Sequence, residues 1–406
     1  MVSFPVSAFF REMTDLGCGN GLGCYSVGIH QPLQISGLGA LSALGTDVSA
    51  HYQAVCERRV PFQPLAKLLG ADSAHGGRPA AWIEPRSLLT HRKWSPVTMA
   101  ALHVARQAIT DAGWGSDELK DAALVVGTSR GNAAAWLGPW PGRRPFRLMA
   151  ASNTIHSEPA AAISIEFGIT GANHVLASGC SAGLDAVGIA LLMVRAGIAP
   201  RALAVAVDLP LVPLLLDNYA RSGLLAERFE SDPYHPLSAG FVPAEGAAAM
   251  TLESSAAGHP RLLHYACNAD ACDPVGIPAD GGRTPDLLQQ ALLLTKTAAA
   301  LCPHATGTAV QARADPAAFA RAFAATRPSL HLLKPYTGHT IGASGLLESV
   351  ILARFLRDGK LPPNLPGLHA PPGFVLPGQV LACSGAVYKL AHGMGGHNAL
   401  LVLKPS

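Results

Sequence analysis

Residues 175–183 read Val175-Leu176-Ala177-Ser178-Gly179-Cys180-Ser181-Ala182-Gly183. A β-prone run turns through small residues and passes directly into an apolar helical stretch, Ser181 to Ala196, which Gly197 stops. Strand handing over to helix is the building step of a layered α/β protein. The pattern extends outward from it: strand-like Ala123 to Gly127, Ala202 to Val207 and Ala247 to Leu252 lie between helical stretches. Cys180 opens the central helix, where unpaired amides and the positive end of the macrodipole favour a nucleophilic thiolate. A buried structural cysteine fits the same place, since that is the commonest fate of a free Cys. The segment by itself leaves both readings open.

Two more helices are well punctuated. Ser95-Pro96 supplies a cap and an N1 proline for Val97 to Ala112, with Gly113 as the stop, and Ala343 to Asp358 ends at Gly359. The first persuasive strand is Leu33 to Gly37, closed by a glycine turn, so residues 1–32 are set aside as an N-terminal arm of unassigned role. Ser, Ala, Gly and Pro replace the strand pattern over Glu253 to Pro260, which divides the chain into 33–258 and 259–406 without any visible sequence repeat. The Pro-rich stretch Leu361 to Pro377 reads as a surface connection before the last strand, Ala399 to Leu403.

Composition limits the possible functions. Over 406 residues, 49% hydrophobic and 14% charged side chains demand an extensive core and exclude disorder. Thirty basic against 27 acidic residues give +3, with no run of five like charges, so a nucleic-acid grip is not expected. Eight scattered cysteines without a C-x-x-C pair suit reduced thiols in the cytoplasm. Arg11, Glu12 and Asp15 interrupt any signal sequence, and Asp208, Pro210 and Pro213 break the most apolar stretch, Leu203 to Leu216, so no membrane insertion is expected.

Other segments could serve Cys180. His304-Ala305-Thr306-Gly307-Thr308 and Lys334-Pro335-Tyr336-Thr337-Gly338-His339-Thr340-Ile341-Gly342-Ala343-Ser344-Gly345 each carry a histidine, the second among glycines that permit close backbone approach to a ligand. Any one of 16 histidines is more often a surface or satisfied core residue. His392-Gly393-Met394-Gly395-Gly396-His397-Asn398 is a glycine turn whose amides could form half of an oxyanion hole. His259, His264, Cys267 and Cys272 match no zinc spacing, so no metal is expected.

Taken in order, these segments resemble the β-ketoacyl synthases of the thiolase superfamily, in particular the stand-alone acyl-carrier-protein enzymes of the FabF type. Cys180 falls on the nucleophile of the family's A-C-[ST]-[SA]-G turn, His304 on the histidine of H-G-T-x-T, and His339 on that of K-x-x-x-G-H-x-x-G-A-x-G, which Lys334 opens. Glu348 matches the acidic partner of that lysine. Ile35 to Gly45 and Gly240 to Ala247 resemble the opening strand and the G-F-V-x-G-E-G-A segment. The chain departs from the pattern at Ala305, at Ala312 and in the F-G-F-G-G-T-N turn, where Met394 replaces the gating phenylalanine.

The resemblance implies a thiolase-like fold, five αβαβα layers built from two similar halves, and a decarboxylative Claisen condensation. Cys180 would accept the acyl group and the amides of Cys180 and Met394 would hold the oxyanion. His304 and His339 would bind the malonyl thioester carbonyl, Lys334 and Glu348 would form an ionic support, and Thr306 and Thr308 would contact the pantetheine arm. It implies no resident cofactor, because the phosphopantetheine arm arrives on an acyl carrier protein. Arg92, Lys93, Arg143 and Arg144 would dock that partner. A homodimer, or a heterodimer with a ketosynthase-like subunit, is implied as well. The product belongs to fatty acid or to specialised polyketide or aryl polyene biosynthesis, and the altered gate favours the specialised pathway. Two rivals stand beside this reading. A CoA-dependent thiolase would need a second cysteine in the C-terminal glycine turn, where Cys383 lies too far upstream. A catalytically silent chain-length-factor-like partner would lack the nucleophile.

Overall fold

The computed structural model describes residues 31–133, 137, 152–254, 258–324 and 326–406. Residues 1–30 of the expected arm, and Arg143 and Arg144, lie outside the described residues.

Among the described residues, ten strands make one mixed sheet in two halves. The first half contains β1 (Leu33–Ser42), β2 (Ala123–Gly127), β3 (Asn173–Leu176), β4 (Arg201–Asp208) and β5 (Gly246–Glu253), in the order β1-β5-β4-β2-β3. The second contains β6 (Arg261–Ala269), β7 (Ala300–Cys302), β8 (Ser329–Leu330), β9 (Val387–Gly393) and β10 (His397–Lys404), in the order β6-β10-β9-β7-β8. Number the strands of each half from one to five and both orders become one-five-four-two-three. The senses agree as well: the first two pairings are antiparallel and the last two parallel in both halves. The halves meet where Leu33 and Gln34 pair with Leu262 and Arg261. A duplication invisible in the sequence is therefore explicit in the topology.

Period-two burial then generates the layers. Ala123 and Val125 of β2, and Ala399 and Leu401 of β10, face a central core with Leu184 and Val187 of α3 (Ala182–Arg195) and Leu346 and Val350 of α6 (Ser344–Arg357). Leu124 and Val126 face the opposite way, onto α1 (Pro96–Ala112) and α2 (Glu158–Phe167). Leu400 and Val402 face α4 (Thr284–Thr295) and α5 (Ala309–Ala322). Helices, sheet, helices, sheet, helices are the five layers of the thiolase-like fold.

Local expectations hold for α1, where the Ser95 hydroxyl caps Thr98 and Gly113 takes the left-handed conformation. Gly37 is not a turn, because β1 runs on to Ser42. A Cβ on Gly37 would lie 2.0 Å from the Ala108 carbonyl oxygen, so the glycine is there to let α1 lie against the strand. The Leu361 to Pro377 connection is on the surface only in part. Asn364 is fully buried, accepting from Leu332 N and donating to the carbonyls of Leu330 and Pro377, which satisfies backbone that no strand reaches.

Candidate active site

The heads of α3 and α6 abut at the centre of the molecule. Each follows a three-residue 3₁₀ turn, Gly179–Ser181 before α3 and Ile341–Ala343 before α6. A Cβ on Gly183 would come within 2.8 Å of the Gly342 carbonyl oxygen, so glycine sets how closely the two heads approach. Asp208 at the end of β4 ties the halves together. Its carboxylate accepts from Thr128 Oγ1, the amides of Ser129 and Arg130, and the Gly342 amide at 2.7 Å. The sequence offered Asp208 only as a break in an apolar run. The missed signal was a lone carboxylate closing a buried strand, which must find donors.

Cys180 sits in the first turn with 7% of its surface exposed, in an apolar cluster with Trp82, Leu216, Tyr219, Phe241 and Ile341. The expectation of a thiolate-favouring position is corrected by this burial, which pushes the thiol up to about 11 although Arg130 and Lys334 pull it down. Cys180 therefore rests as a thiol and needs a base.

His339 stands before the second turn. Its backbone is pinned by His339 N to Val242 O at 2.8 Å and Ala244 N to His339 O at 3.0 Å. Its Nδ1 lies 2.9 Å from Ser344 Oγ, which accepts from Thr340 N and Thr340 Oγ1. The Ser344 proton is thereby left for Nδ1, and the ring keeps its own proton on Nε2 as a donor. His304 follows β7, its ring centroid 5.3 Å from that of His339. Burial first, then the Lys334 cation, holds both imidazoles well below the ordinary range, so both are neutral.

Behind them lies Glu348 of α6, at 2.7 Å from Lys334 Nζ through Oε1 and at 2.7 Å from Lys389 Nζ through Oε2. Lys334 and Glu348 were anticipated. Lys389 was not, because a single lysine in an apolar strand carries no motif. Its ammonium also donates to the carbonyls of Leu390 and Pro303. His392 was read only as part of a glycine turn, yet its ring packs 5.5 Å from that of His304 and is buried. Asp315, buried on α5, accepts from Tyr234 Oη and Gln311 Nε2.

The remaining predicted residues are distributed around this centre. The turn of Gly393 and Met394 meets the Cys180 turn backbone to backbone, with Met394 N 3.6 Å from the point where a Gly179 Cβ would be, and Met394 is 37% exposed. Thr308 caps α5, accepting from Gln311 N, and its hydroxyl is 3.2 Å from that of Thr306. Arg92 and Lys93 are exposed in the loop before α1, where Lys93 Nζ lies 4.3 Å from the Trp94 ring. Cys383 pairs its amide with Gly359 O beyond the far end of α6, about 20 Å along that 14-residue helix from His339. It is not part of the centre. Among the described residues no helix is long and apolar enough to cross a membrane.

Comparison with known proteins gives a consistent answer. The family model for the β-ketoacyl synthase N-terminal domain matches residues 31–257, and that for the C-terminal domain matches 260–367. An actinorhodin polyketide putative β-ketoacyl synthase 1 of Streptomyces coelicolor is 29% identical over 302 residues, 65% of this chain and 63% of that one. A 3-oxoacyl-[acyl-carrier-protein] synthase homolog of Saccharomyces cerevisiae is 28% identical, with only 50% of its length spanned. A 3-oxoacyl-[acyl-carrier-protein] synthase 2 of Coxiella burnetii is 25% identical over 91% of this chain and 97% of that one. Among solved structures, the ishigamide ketosynthase/chain length factor superposes with a TM-score of 0.80 at 21% identity, covering 93% of this chain and 100% of that one. A type II acyl-carrier protein in complex with its ketosynthase bound to the hexaketide gives 0.78 at 22%, covering 93% and 99%.

Proposed function

The chain belongs to the β-ketoacyl synthase family, and from that premise we propose that it condenses an acyl thioester with malonyl-acyl carrier protein through an acyl-Cys180 intermediate. The observation that carries this reading is the convergence, at two abutting helix heads, of a buried thiol with neutral imidazoles at His304 and His339. Cys180 attacks the acyl thioester carbonyl and expels the pantetheine thiol, while the amides of Cys180 and Met394 hold the tetrahedral oxyanion. The malonyl thioester then places its carbonyl oxygen against His339 Nε2–H and His304. Loss of carbon dioxide leaves an enolate whose oxygen those groups stabilise and whose carbon attacks the acyl-cysteine. Neutral donors suit this step because they strengthen their hydrogen bond as the negative charge grows. Thr306 and Thr308 line the pantetheine approach, and Lys334 with Glu348 fixes the floor beneath the histidines. The chain's own residues supply every group, so no resident cofactor or metal is needed.

The acyl carrier protein is the proposed partner. Support comes from the exposed Arg92 and Lys93 and from a structural neighbour described as a ketosynthase in complex with its carrier. A second subunit, identical or ketosynthase-like, is supported by β3, an edge strand whose Asn173 and His174 are exposed. The reduced thiol fits a cytoplasmic setting. Met394 at the gate and His392 beside it favour a specialised polyketide or aryl polyene over a housekeeping fatty acid. The test is acyl loading: Cys180→Ala folds but gains no acyl mass from acyl carrier protein, and an unchanged mass gain in that variant would remove the reading.

A further inference from the structure

We propose that Arg130 and Tyr219 form a carboxylate-binding site beside Cys180, so that the acyl group this chain accepts carries an anionic carboxylate at its far end. This rests on the function proposed above and names the class of acyl thioester it takes.

Arg130 follows closely on β2, in the turn that Asp208 holds from the end of β4 through Thr128 Oγ1 and the amides of Ser129 and Arg130. The same carboxylate holds the Gly342 amide before α6. The backbone of Arg130 is therefore anchored where the two helix heads meet. Its partly buried side chain turns to the helix Pro213–Arg221, where Nε donates to Tyr219 Oη at 2.9 Å. Tyr219 is 3% exposed and belongs to the apolar cluster around Cys180. Its ring meets Phe241 edge-on at 5.4 Å, and Phe241 lies 4.9 Å from the His339 ring. The arginine thus reaches the wall of the reaction centre itself. Burial pushes the Cys180 thiol up, and of the charges that oppose it Arg130 acts most strongly, ahead of Lys334.

Donors at this place exceed acceptors. A carboxylate offers about four lone-pair sites, and Thr128 Oγ1 with the amides of Ser129, Arg130 and Gly342 fills those of Asp208. None is left for the guanidinium. Among the described residues the Arg130 side chain meets only Tyr219, through Nε and through the ring, whose centroid is 5.4 Å from Cζ. Nη1 and Nη2 keep their protons without an acceptor. Tyr219 Oη accepts from Nε, and burial pushes that phenol up to about 12, so its own proton stays in place and is also without an acceptor among the described residues.

Two guanidinium nitrogens and a phenol therefore present donors and no lone pair to an acyl chain leaving Cys180 through the apolar cluster. The planar fork matches the two oxygens of a carboxylate, and charge-assisted bonds of this kind are the strong ones. An alkyl tail would do the opposite, taking the water from a guanidinium and a hydroxyl that it cannot satisfy.

The test is loading of Cys180 from N-acetylcysteamine thioesters, which bypass the carrier-docking face, read by intact-protein mass. Adipyl and hexanoyl groups have the same length and differ only in the terminal carboxylate. The full-length protein will load adipyl on the order of tenfold faster than hexanoyl at neutral pH, and adipyl carried as its methyl ester will lose that advantage. Arg130→Met will collapse the adipyl-to-hexanoyl ratio, in which any effect of the lost cation on the thiol cancels. Arg130→Lys, which keeps the charge without the fork, will retain part of the ratio, and Tyr219→Phe, which keeps the ring without the hydroxyl, will lower it. Wild-type adipyl loading no faster than hexanoyl, or a ratio unchanged by Arg130→Met, overturns the proposal and leaves the ketosynthase reading standing. A second measurement needs no acyl transfer. Free adipate will slow iodoacetamide alkylation of Cys180 in the wild type and not in Arg130→Met, with hexanamide as the neutral control, and alkylation unaffected by adipate overturns the proposal as well. Protection by adipate without loading from any thioester would remove the ketosynthase reading and keep the carboxylate site.

Discussion

Glu348 offers the sharpest test of how the centre is held together. Its carboxylate is 1% exposed and is shared by two ammoniums at 2.7 Å, Lys334 at 3% and Lys389 at 0% exposure. Glu348→Gln keeps the shape and removes the only negative charge in the triad. Breaking a buried pair from one side leaves an uncompensated charge and costs about 3–5 kcal/mol. The cost has a ceiling, because a stranded lysine can shed its proton instead. From the ordinary 10.5 of lysine to pH 7 that release costs about 5 kcal/mol, and burial already pushes Lys334 below its ordinary value. The expected loss is therefore about 3–5 kcal/mol and not twice that. Lys389→Met makes the opposite change. It leaves the Lys334–Glu348 pair neutral overall, takes the second ammonium from Glu348 Oε2 and strands the carbonyls of Pro303 and Leu390, for about 1–3 kcal/mol. Urea and thermal unfolding followed by circular dichroism should rank Glu348→Gln well below Lys389→Met, with little dependence on salt because the charges are shielded from it. A Glu348→Gln protein within about 1 kcal/mol of wild type, or one more stable than Lys389→Met, would refute the account.

Three further outcomes are expected. Ala305 has φ of +44°, a left-handed conformation that costs a residue with a Cβ about 1 kcal/mol, so Ala305→Gly should raise the unfolding midpoint, and a lowered midpoint would show the strain is absent. His51 is fully buried, bonded to Ser42 Oγ and Asp47 O, and held down to about 4 by that burial. The unfolded chain binds a proton near 6.5 that the folded chain refuses until about 4, so about 3 kcal/mol of stability is present above pH 6.5 and is lost as pH falls toward 4. His51→Gln should flatten the slope of stability against pH in that window, measured by urea midpoints at pH 5 and 7. Replacing Arg92 and Lys93 by Ala should raise the KM for acyl carrier protein at low salt and spare turnover of a free pantetheine thioester, and an unchanged KM would place the docking face elsewhere.

The sequence carried the strand-to-helix hand-over at Cys180, the caps of α1 and the two histidine segments, because each is written in adjacent residues. What it could not carry was anything set by long-range pairing. β3 begins two residues earlier than its apolar run, at Asn173 and His174, since edge pairing to β2 holds polar residues as readily as apolar ones. Lys389 reads as an interruption in an apolar strand until Glu348, 41 positions away, is seen beside it. Cys180 was read from the helix it opens, yet its acidity is set by how deeply the surrounding apolar cluster buries it. The helix terminus and the burial act in opposite directions, and only the packed structure decides between them.

The duplication explains why the chemistry is where it is. In each half the third strand leads toward the head of the helix that lies between the sheets, through a turn whose first residue has positive φ: +65° at Gly179 and +49° at Ile341. Glycine adopts that conformation freely, whereas a β-branched residue is strained in it by about 1–3 kcal/mol. Ile341 is retained in the turn because its side chain is buried in the apolar cluster around Cys180, and removing a buried isoleucine side chain costs about 2–5 kcal/mol. Packing therefore outweighs strain. The two copies of the turn have divided the work: the first places a nucleophile one residue after its glycine, and the second places an imidazole two residues before its isoleucine. Because α3 and α6 meet head to head, thiol and imidazole reach the same centre from opposite halves, and a site that needs both cannot be built by either half alone.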